Sequence, residues 1–237
     1  MKKYFIDEQE TFAINDELGA KVELIGSQET PIVYIDNFYK HPDKVRDLSL
    51  RCPGTTNQRV CAGLPGVRVD MNMNLDGLFE VWRSICKNVY GLTEDEKETL
   101  EQSMRNVSFS VNVTQSEGRN KIPHVDFPVG LKTRGWAGLI YLNKGKEISG
   151  GTGFYTYKGL QITTEEELKN IERDQYVADS VGNWELIHLA EMKYNRMIFY
   201  PDNILHGAYD KELIYKDDLH RLVQVFFLPL HFPWPKQ

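Results

Sequence analysis

The chain has 237 residues, of which 41% are hydrophobic and 26% are charged, a balance typical of a folded globular protein. The formal net charge of -6 disfavours nucleic acid or an anionic membrane surface as a partner, because both repel an acidic protein. No apolar run approaches the ~20 residues that a membrane span needs, and the length suits one domain with a sizeable core.

The three cysteines, Cys52, Cys61 and Cys86, are odd in number and include no C-x-x-C spacing. This pattern disfavours a disulfide framework and a thiolate zinc site, and it is typical of a reducing compartment. Residues 1–12 include two lysines but no apolar stretch of the kind found in signal peptides. We therefore expect a cytoplasmic protein.

The first part of the chain, residues 1–104, combines strand and helix patterns. Short β-like runs occur at 4–6, 21–25 and 32–35. Pro42 suits the first position of a helix, and apolar residues at three- and four-residue steps over 75–89 predict an amphipathic helix. A capping sequence predicts a polar helix over 93–104. We interpret this region as strand and helix support for the remainder of the chain.

The second part, residues 105–230, has the character of a β-rich core. Strict alternation of apolar and polar residues over 107–114 predicts a half-buried strand. Further strands are predicted at 136–142, 154–157, 194–200, 204–209 and 221–228. Residues 158–193 interrupt this pattern and are predicted to be an insertion, with a short helix starting at Thr164. We expect a single domain, 1–237, of the α+β class and composed mainly of β-strands.

One short motif, His124-Val125-Asp126, suggests a metal site. Residues two apart on a strand point to the same face, so His124 and Asp126 can share one metal ion. His206 is the best candidate for a third ligand. Two histidines and a carboxylate on one face of a metal leave three positions open, which suits non-haem Fe(II) and the binding of dioxygen. We interpret His188 as structural, with a substrate contact as the alternative.

A basic residue opens the last predicted strand. Arg221 shares a strand face with Val223 and Val225, and a guanidinium on an apolar face is costly to bury without a partner. It therefore requires an anion, and a carboxylate fits its two-pronged donor geometry. The alternative is a salt bridge to a protein carboxylate such as Asp217 or Asp218.

Several segments together resemble the Fe(II)/2-oxoglutarate-dependent oxygenases, and most of all their prolyl-4-hydroxylase-like branch. The matching segments are "IPHVDFP", "GWAGLIYLN", "GGTGFY", "NRMIFYPDNILHGAY", "RLVQVFFL" and, nearer the N-terminus, "PIVYIDNFYKHPDKVRDLSL". They cover most of residues 31–230. The resemblance implies a double-stranded β-helix, or jelly roll, with supporting N-terminal helices packed outside it.

The resemblance also implies roles for particular residues. His124, Asp126 and His206 would be the iron ligands, and Arg221 would bind the distal carboxylate of 2-oxoglutarate. Prolyl hydroxylases commonly have lysine in place of this arginine. Many relatives also have a small hydroxyl residue two positions later, where this chain has valine. The candidates for the missing hydroxyl are Tyr141 and Thr114.

The function implied is hydroxylation of an unactivated C–H bond by dioxygen, with succinate and carbon dioxide as co-products. The substrate would be a small molecule, an amino acid or a peptide. Two alternatives from other classes stay open. One is a cupin-like metal-dependent enzyme that does not use 2-oxoglutarate, and the other is a non-catalytic jelly-roll binding module.

Overall fold

The computed structural model describes most of the chain. The described residues are 7–51, 58–59, 67–71, 76–93, 109–114, 123–126, 134–161, 167, 169–171, 179–212 and 214–230. The β-like run at 4–6, the polar helix predicted beyond Thr93 and the helix start at Thr164 lie outside these residues.

Three helices and eleven strands occur within the described residues. The helices are α1 (Glu8–Thr11), α2 (Pro42–Arg51) and α3 (Asp76–Asn88). The strands are β1 (Ala20–Ile25), β2 (Thr30–Ile35), β3 (Gln58–Arg59), β4 (Val67–Met71), β5 (Phe109–Thr114), β6 (Arg134–Tyr141), β7 (Gly151–Tyr157), β8 (Trp184–Glu191), β9 (Met197–Pro201), β10 (His206–Tyr209) and β11 (Arg221–Leu230). None of the helices in the described part is long and apolar enough to cross a membrane.

The strands form two antiparallel sheets. The larger has eight strands in the order β1-β2-β9-β6-β11-β5-β4-β3, and the smaller has three in the order β10-β7-β8. An antiparallel bridge between His124 and His206 adds a short segment beside β10. From β6 onward the chain crosses repeatedly between the sheets, with β6, β9 and β11 in the larger one and β7, β8 and β10 in the smaller one, as in a double-stranded β-helix. The mainly β jelly-roll fold predicted from the sequence is confirmed.

The core between the two sheets follows from the two-residue period of the strands. On β6, Leu139 and Tyr141 point inward, and on β11 Val223 and Val225 do the same, all of them buried. The smaller sheet contributes Phe154 from β7, which is fully buried. The inward side chains of both sheets meet in this inter-sheet space, and the candidate metal ligands lie beside it.

The opposite face of the large sheet is covered by the helices. Trp82 of α3 is fully buried, and its ring lies 4.4 Å from that of Phe226 on β11. Val45 of α2 is buried in the same cluster. The apolar residues of α3 recur at three- and four-residue steps, so one face of the helix packs on the sheet. The helices therefore support the sheet from outside.

The sequence predicted an insertion over 158–193, and the C-terminal end of that prediction is wrong. Strand β8 lies within that range and pairs with β7 along the full length of β7, from Gly151 to Tyr157. Half of the eight residues of β8 are partly buried, and β8 is the last strand of its sheet. Its sequence, WELIHLAE, does not alternate apolar and polar residues, so it gave no strand signal.

Candidate metal centre

Backbone pairing places the two candidate histidine ligands opposite each other. His124 N–H donates to the carbonyl oxygen of His206 at 2.8 Å, and His206 N–H donates back to His124 at 2.9 Å. Asp126 N–H donates to the carbonyl oxygen of Asp202 at 2.8 Å. These bonds attach the short segment 123–126 to the start of β10, so the ligands rest on paired backbone.

The three candidate side chains converge on one point. Nε2 of His206 lies 3.1 Å from one carboxylate oxygen of Asp126, and Nε2 of His124 lies 3.7 Å from the other. One ligand atom from each side chain lies within 4.8 Å of the other two. Among the residues that the structure describes, no other trio of histidine, cysteine or acidic side chains meets in this way. That a metal binds here stays a prediction.

The orientation of His206 is fixed by a second contact. Its Nδ1 lies 3.0 Å from the carbonyl oxygen of Ile204, which favours a proton on Nδ1 and leaves the lone pair of Nε2 facing Asp126. Burial lowers the pKa of His206, but the Asp126 carboxylate and the carbonyl of Ile204 outweigh burial and raise that pKa above its ordinary value. A bound cation would take the place of a proton on Nε2, the ring nitrogen that faces Asp126.

The cluster is closed on one side and open on the other. The side chains of His206 and Asp126 are 6% and 11% exposed, whereas that of His124 is 48% exposed. A ligand entering from solvent therefore meets the His124 side first. The other side is closed by the interior of the jelly roll.

Two aromatic residues that the sequence did not single out form the closed side. The ring of Tyr200 lies 4.7 Å from that of His206, and the ring of Phe154 lies 6.3 Å from His206 and 5.2 Å from Tyr200. Tyr200 lies two residues after Ile198 on β9, so the two share the inward face, and this spacing was a usable signal. Phe154 lies opposite His206 in the pairing of β7 with β10, and no local pattern shows such a register.

Asp202 is a further carboxyl group beside the cluster. The segment Pro201-Asp202-Asn203 has the composition of a turn, and it gave no indication of a buried acid. Asp202 is nevertheless only 5% exposed, and its N–H donates to the carbonyl oxygen of Gly135 at 3.1 Å. Burial, with the nearby charge of Asp126, raises the pKa of Asp202 to about 7.

Arg221 begins β11 and lies in the inter-sheet space. It is 6% exposed, its Nη2 donates to the carbonyl oxygen of Gly151 at 3.1 Å, and its guanidinium lies 5.9 Å from the centre of the Tyr141 ring. Asp217 and Asp218, the alternative partners, are exposed in the segment before β11. The structure thus buries a cation in the interior that also contains the candidate metal ligands.

The two candidate hydroxyl residues differ in their surroundings. Tyr141 is fully buried, and its hydroxyl lies 2.8 Å from Oγ1 of Thr152 and 3.1 Å from the carbonyl oxygen of Ala190. Burial raises the pKa of Tyr141 to about 12, although Arg221 opposes the shift. The backbone of Thr114 pairs with that of Arg221, and its side chain lies outside the described part. Thr152, which the sequence did not single out, is a third hydroxyl in this region.

His188 lies apart from the cluster. Its Nε2 is 2.6 Å from the Tyr34 hydroxyl and 3.4 Å from a carboxylate oxygen of Glu23. These residues and Arg196 line a pocket of about 300 Å³ between the edges of the two sheets. The ring of Phe154 lies 6.2 Å from His188 and 6.3 Å from His206, and thus between the two imidazoles. The structure does not bring His188 to the candidate metal ligands.

Fold and site together define a jelly-roll protein with a His–Asp–His cluster beside its inter-sheet core. Residues 16–218 match the sequence model of the family of unknown function DUF6445, and the chain belongs to that family. Among curated proteins, no significant match was found.

Solved structures with a similar chain course have low sequence identity. A structure from the study of prolyl 4-hydroxylases from Phytophthora capsici is 15% identical, with a TM-score of 0.46 over 83% of this chain and 57% of that chain. The non-heme alpha ketoglutarate dependent carbocyclase SnoK from nogalamycin biosynthesis is 12% identical, with a TM-score of 0.42 over 84% of this chain and 79% of that one. AviO1 from Streptomyces viridochromogenes Tue57 is 9% identical, with a TM-score of 0.36 over 97% and 96% of the two chains. The chain thus spans little more than half the length of the first of these.

Proposed function

We propose that this protein is an Fe(II)/2-oxoglutarate-dependent dioxygenase that hydroxylates an unactivated C–H bond. The substrate class is a small molecule, an amino acid or a peptide. The observation that carries the proposal is the convergence of His124, Asp126 and His206 within 4.8 Å, beside an interior that also buries the cation of Arg221. Two imidazoles and one carboxylate leave three positions of an octahedral metal open, as oxygen activation requires.

The donor set fits ferrous iron. Imidazole nitrogen and carboxylate oxygen are ligands that suit this metal, and no thiolate lies in the cluster. The contact of His206 Nδ1 with the Ile204 carbonyl sets the ring so that Nε2 faces the other donors. The paired backbone of His124 and His206 fixes the spacing of the two rings. These residues would therefore hold the metal with little rearrangement.

The buried cation supports a dicarboxylate co-substrate. Gly151, whose carbonyl accepts from Arg221, and Phe154, which pairs with His206, are three residues apart on β7. At about 3.3 Å per residue, the two backbone positions are roughly 10 Å apart. A five-carbon diacid is shorter than this separation, so it could extend from Arg221 toward a metal at the cluster. In this proposal Arg221 holds the distal carboxylate, with Tyr141 and Thr114 as hydroxyl candidates.

Bound at these residues, ferrous iron and 2-oxoglutarate would supply the oxidation of a C–H bond by dioxygen, with succinate and carbon dioxide as co-products. The chain's own contribution is to bind, to orient and to exclude water. Tyr200 and Phe154 close the inner side of the cluster against water. The exposed face of His124 leaves the outer side open, and the substrate would approach from there.

An anaerobic titration tests the proposal. Addition of 2-oxoglutarate to the protein with one equivalent of Fe(II) should produce a weak visible charge-transfer absorption. The same titration with Zn(II) is the control, because Zn(II) accepts the same ligands but has no such transition. Tight Fe(II) binding without the absorption would favour a cupin-like enzyme that does not use 2-oxoglutarate. Failure to bind Fe(II) would favour a non-catalytic binding module.

A further inference from the structure

Strand β1 forms one edge of the large sheet. Within the described residues it pairs with β2 on one side and has no strand on the other. Two of its apolar side chains, Val22 and Leu24, are 43% and 61% exposed. An open edge with exposed apolar side chains is a template for pairing with another strand.

The backbone groups that face this open edge can be assigned from Pro31. Leu24 lies opposite Pro31 in the pairing of β1 with β2, and proline has no N–H to donate. The Pro31 carbonyl oxygen accepts from the Tyr90 hydroxyl at 2.9 Å, on the side away from β1. Leu24 and Pro31 are therefore a pair without mutual hydrogen bonds. By the alternation of an antiparallel ladder, Ala20, Val22 and Leu24 direct their N–H and C=O groups to the open edge.

Three antiparallel registers of this edge with a second copy match outward groups with outward groups and also place charged β1 residues of the two copies opposite each other. Pairing Ala20 with Val22 of the second copy places Lys21 opposite the second Lys21. Pairing Val22 with Leu24 of the second copy places Glu23 opposite the second Glu23. Pairing Val22 with Val22 places Lys21 opposite Glu23, twice by symmetry. Like charges directly opposite destabilise a sheet and opposite charges stabilise it, so only the register centred on Val22 is self-complementary.

We propose that a second copy of this chain docks on β1 in that register and joins the two eight-stranded sheets into one. A charged residue on an edge strand normally discourages such pairing. Here the charge is balanced within each strand, because Nζ of Lys21 lies 2.5 Å from a carboxylate oxygen of Glu23. On the other face, Leu24 packs against Ala20 of the second copy and Val22 against its equivalent. The dimer is isologous, as two-fold homodimers are.

The oligomeric state of the full chain tests this proposal. Sedimentation over a concentration series should show the mass rising toward twice that of the monomer. Lys21→Glu places two like-charge pairs in the interface and should weaken dimerisation about tenfold or more, as should Glu23→Lys. The double variant K21E/E23K restores both pairs and should recover the parent affinity. Recovery of this kind would not follow from damage to the fold.

A second pair of variants tests the backbone. The N–H of Val22 points to the open edge, so Val22→Pro removes interface hydrogen bonds and leaves the pairing with β2 intact. It should be monomeric with an unchanged circular dichroism spectrum. Val22→Thr, which keeps the N–H and the branched side chain, should still dimerise. A parent protein that stays monomeric at all concentrations would overturn the proposal. The proposal would also be overturned if neither the charge reversals nor Val22→Pro changed the dimerisation affinity.

Discussion

His124 and His206 exchange backbone hydrogen bonds of 2.8 and 2.9 Å across a single antiparallel bridge. Both imidazoles are thereby placed on the same side of paired backbone, 4.7 Å apart between ring centres. One oxygen of the Asp126 carboxylate lies 3.1 Å from Nε2 of His206, and the other lies 3.7 Å from Nε2 of His124. Backbone pairing and side-chain contacts together therefore bring the three candidate ligands to one place.

The first prediction rests on this cluster of three candidate ligands. Asp126→Ala removes the donor that contacts both rings, and we expect the affinity for Fe(II) to fall by more than about 100-fold, since loss of outer partners alone typically costs 10- to 100-fold. Asp218→Ala, which removes an exposed carboxylate, is the matched control and should bind as the parent does. Calorimetry under argon measures both. Equal affinities would mean that the cluster is not the metal site.

A second prediction separates the cluster from the neighbouring pocket. His188 contacts Tyr34 and Glu23, and the Phe154 ring lies between His188 and His206. His188→Ala should therefore change Fe(II) affinity by no more than about twofold, because His188 is separated from the three candidate ligands and is not one of their group. The same titration measures the effect. A loss as large as that of the Asp126 variant would make His188 part of the metal site.

The proximity of His124 and Asp126 was predictable because its information is local. His124 and Asp126 are two residues apart, and the alternation of a strand is enough to place them on one face. The fold class was predictable from equally local signals, because the strict alternation over β5 and the short apolar runs of β6, β9 and β11 are both typical of strands. Arg221 was recognised because a charge on an otherwise apolar strand face requires a partner.

The residues that were missed depend on contacts between distant parts of the chain. Phe154 faces the cluster because β7 pairs with β10 in a particular register, and nothing near Phe154 in sequence encodes that register. Asp202 is buried by neighbours across the sheet, although its own segment has the composition of a turn. Strand β8 was assigned to an insertion because an edge strand needs no hydrophobic alternation. In all three cases the position in the fold is determined by tertiary contacts and not by the local sequence.

A third prediction concerns acid stability. Asp36 accepts hydrogen bonds from Nε and Nη2 of Arg196 and from Nζ of Lys193, at 2.6, 3.1 and 2.6 Å. The bond from Arg196, supported by that from Lys193, lowers the pKa of Asp36 from 3.8 to about 2. A carboxyl with a depressed pKa stabilises the fold above its unfolded pKa and loses that contribution as the pH falls through its folded pKa.

Urea unfolding of the parent and of Asp36→Asn from pH 7 to pH 2 measures this contribution. The parent should have the larger free energy of unfolding above about pH 4, and the difference should shrink between pH 4 and pH 2. The Asp36 side chain is 36% exposed, so 1 M salt should also reduce the difference. A difference that stays constant across this range would show that the ion pair does not contribute to stability.

The last prediction concerns Arg221 and the co-substrate. Arg221 is 6% exposed and its guanidinium lies over the Tyr141 ring, in a low-dielectric interior where a charge-assisted bond is strong. Such a bond contributes ~1.5–3 kcal/mol, so Arg221→Ala should weaken 2-oxoglutarate binding about tenfold to a hundredfold. Fe(II) affinity should be nearly unchanged, and Arg221→Lys should recover part of the loss because it keeps the charge but not the two-pronged geometry.

Arg196→Ala, which removes another partly buried guanidinium, is the control for stability and should bind 2-oxoglutarate as the parent does. The measurement is a 2-oxoglutarate titration of the Fe(II) protein without oxygen, and parental affinity in Arg221→Ala would make Arg221 a purely structural residue.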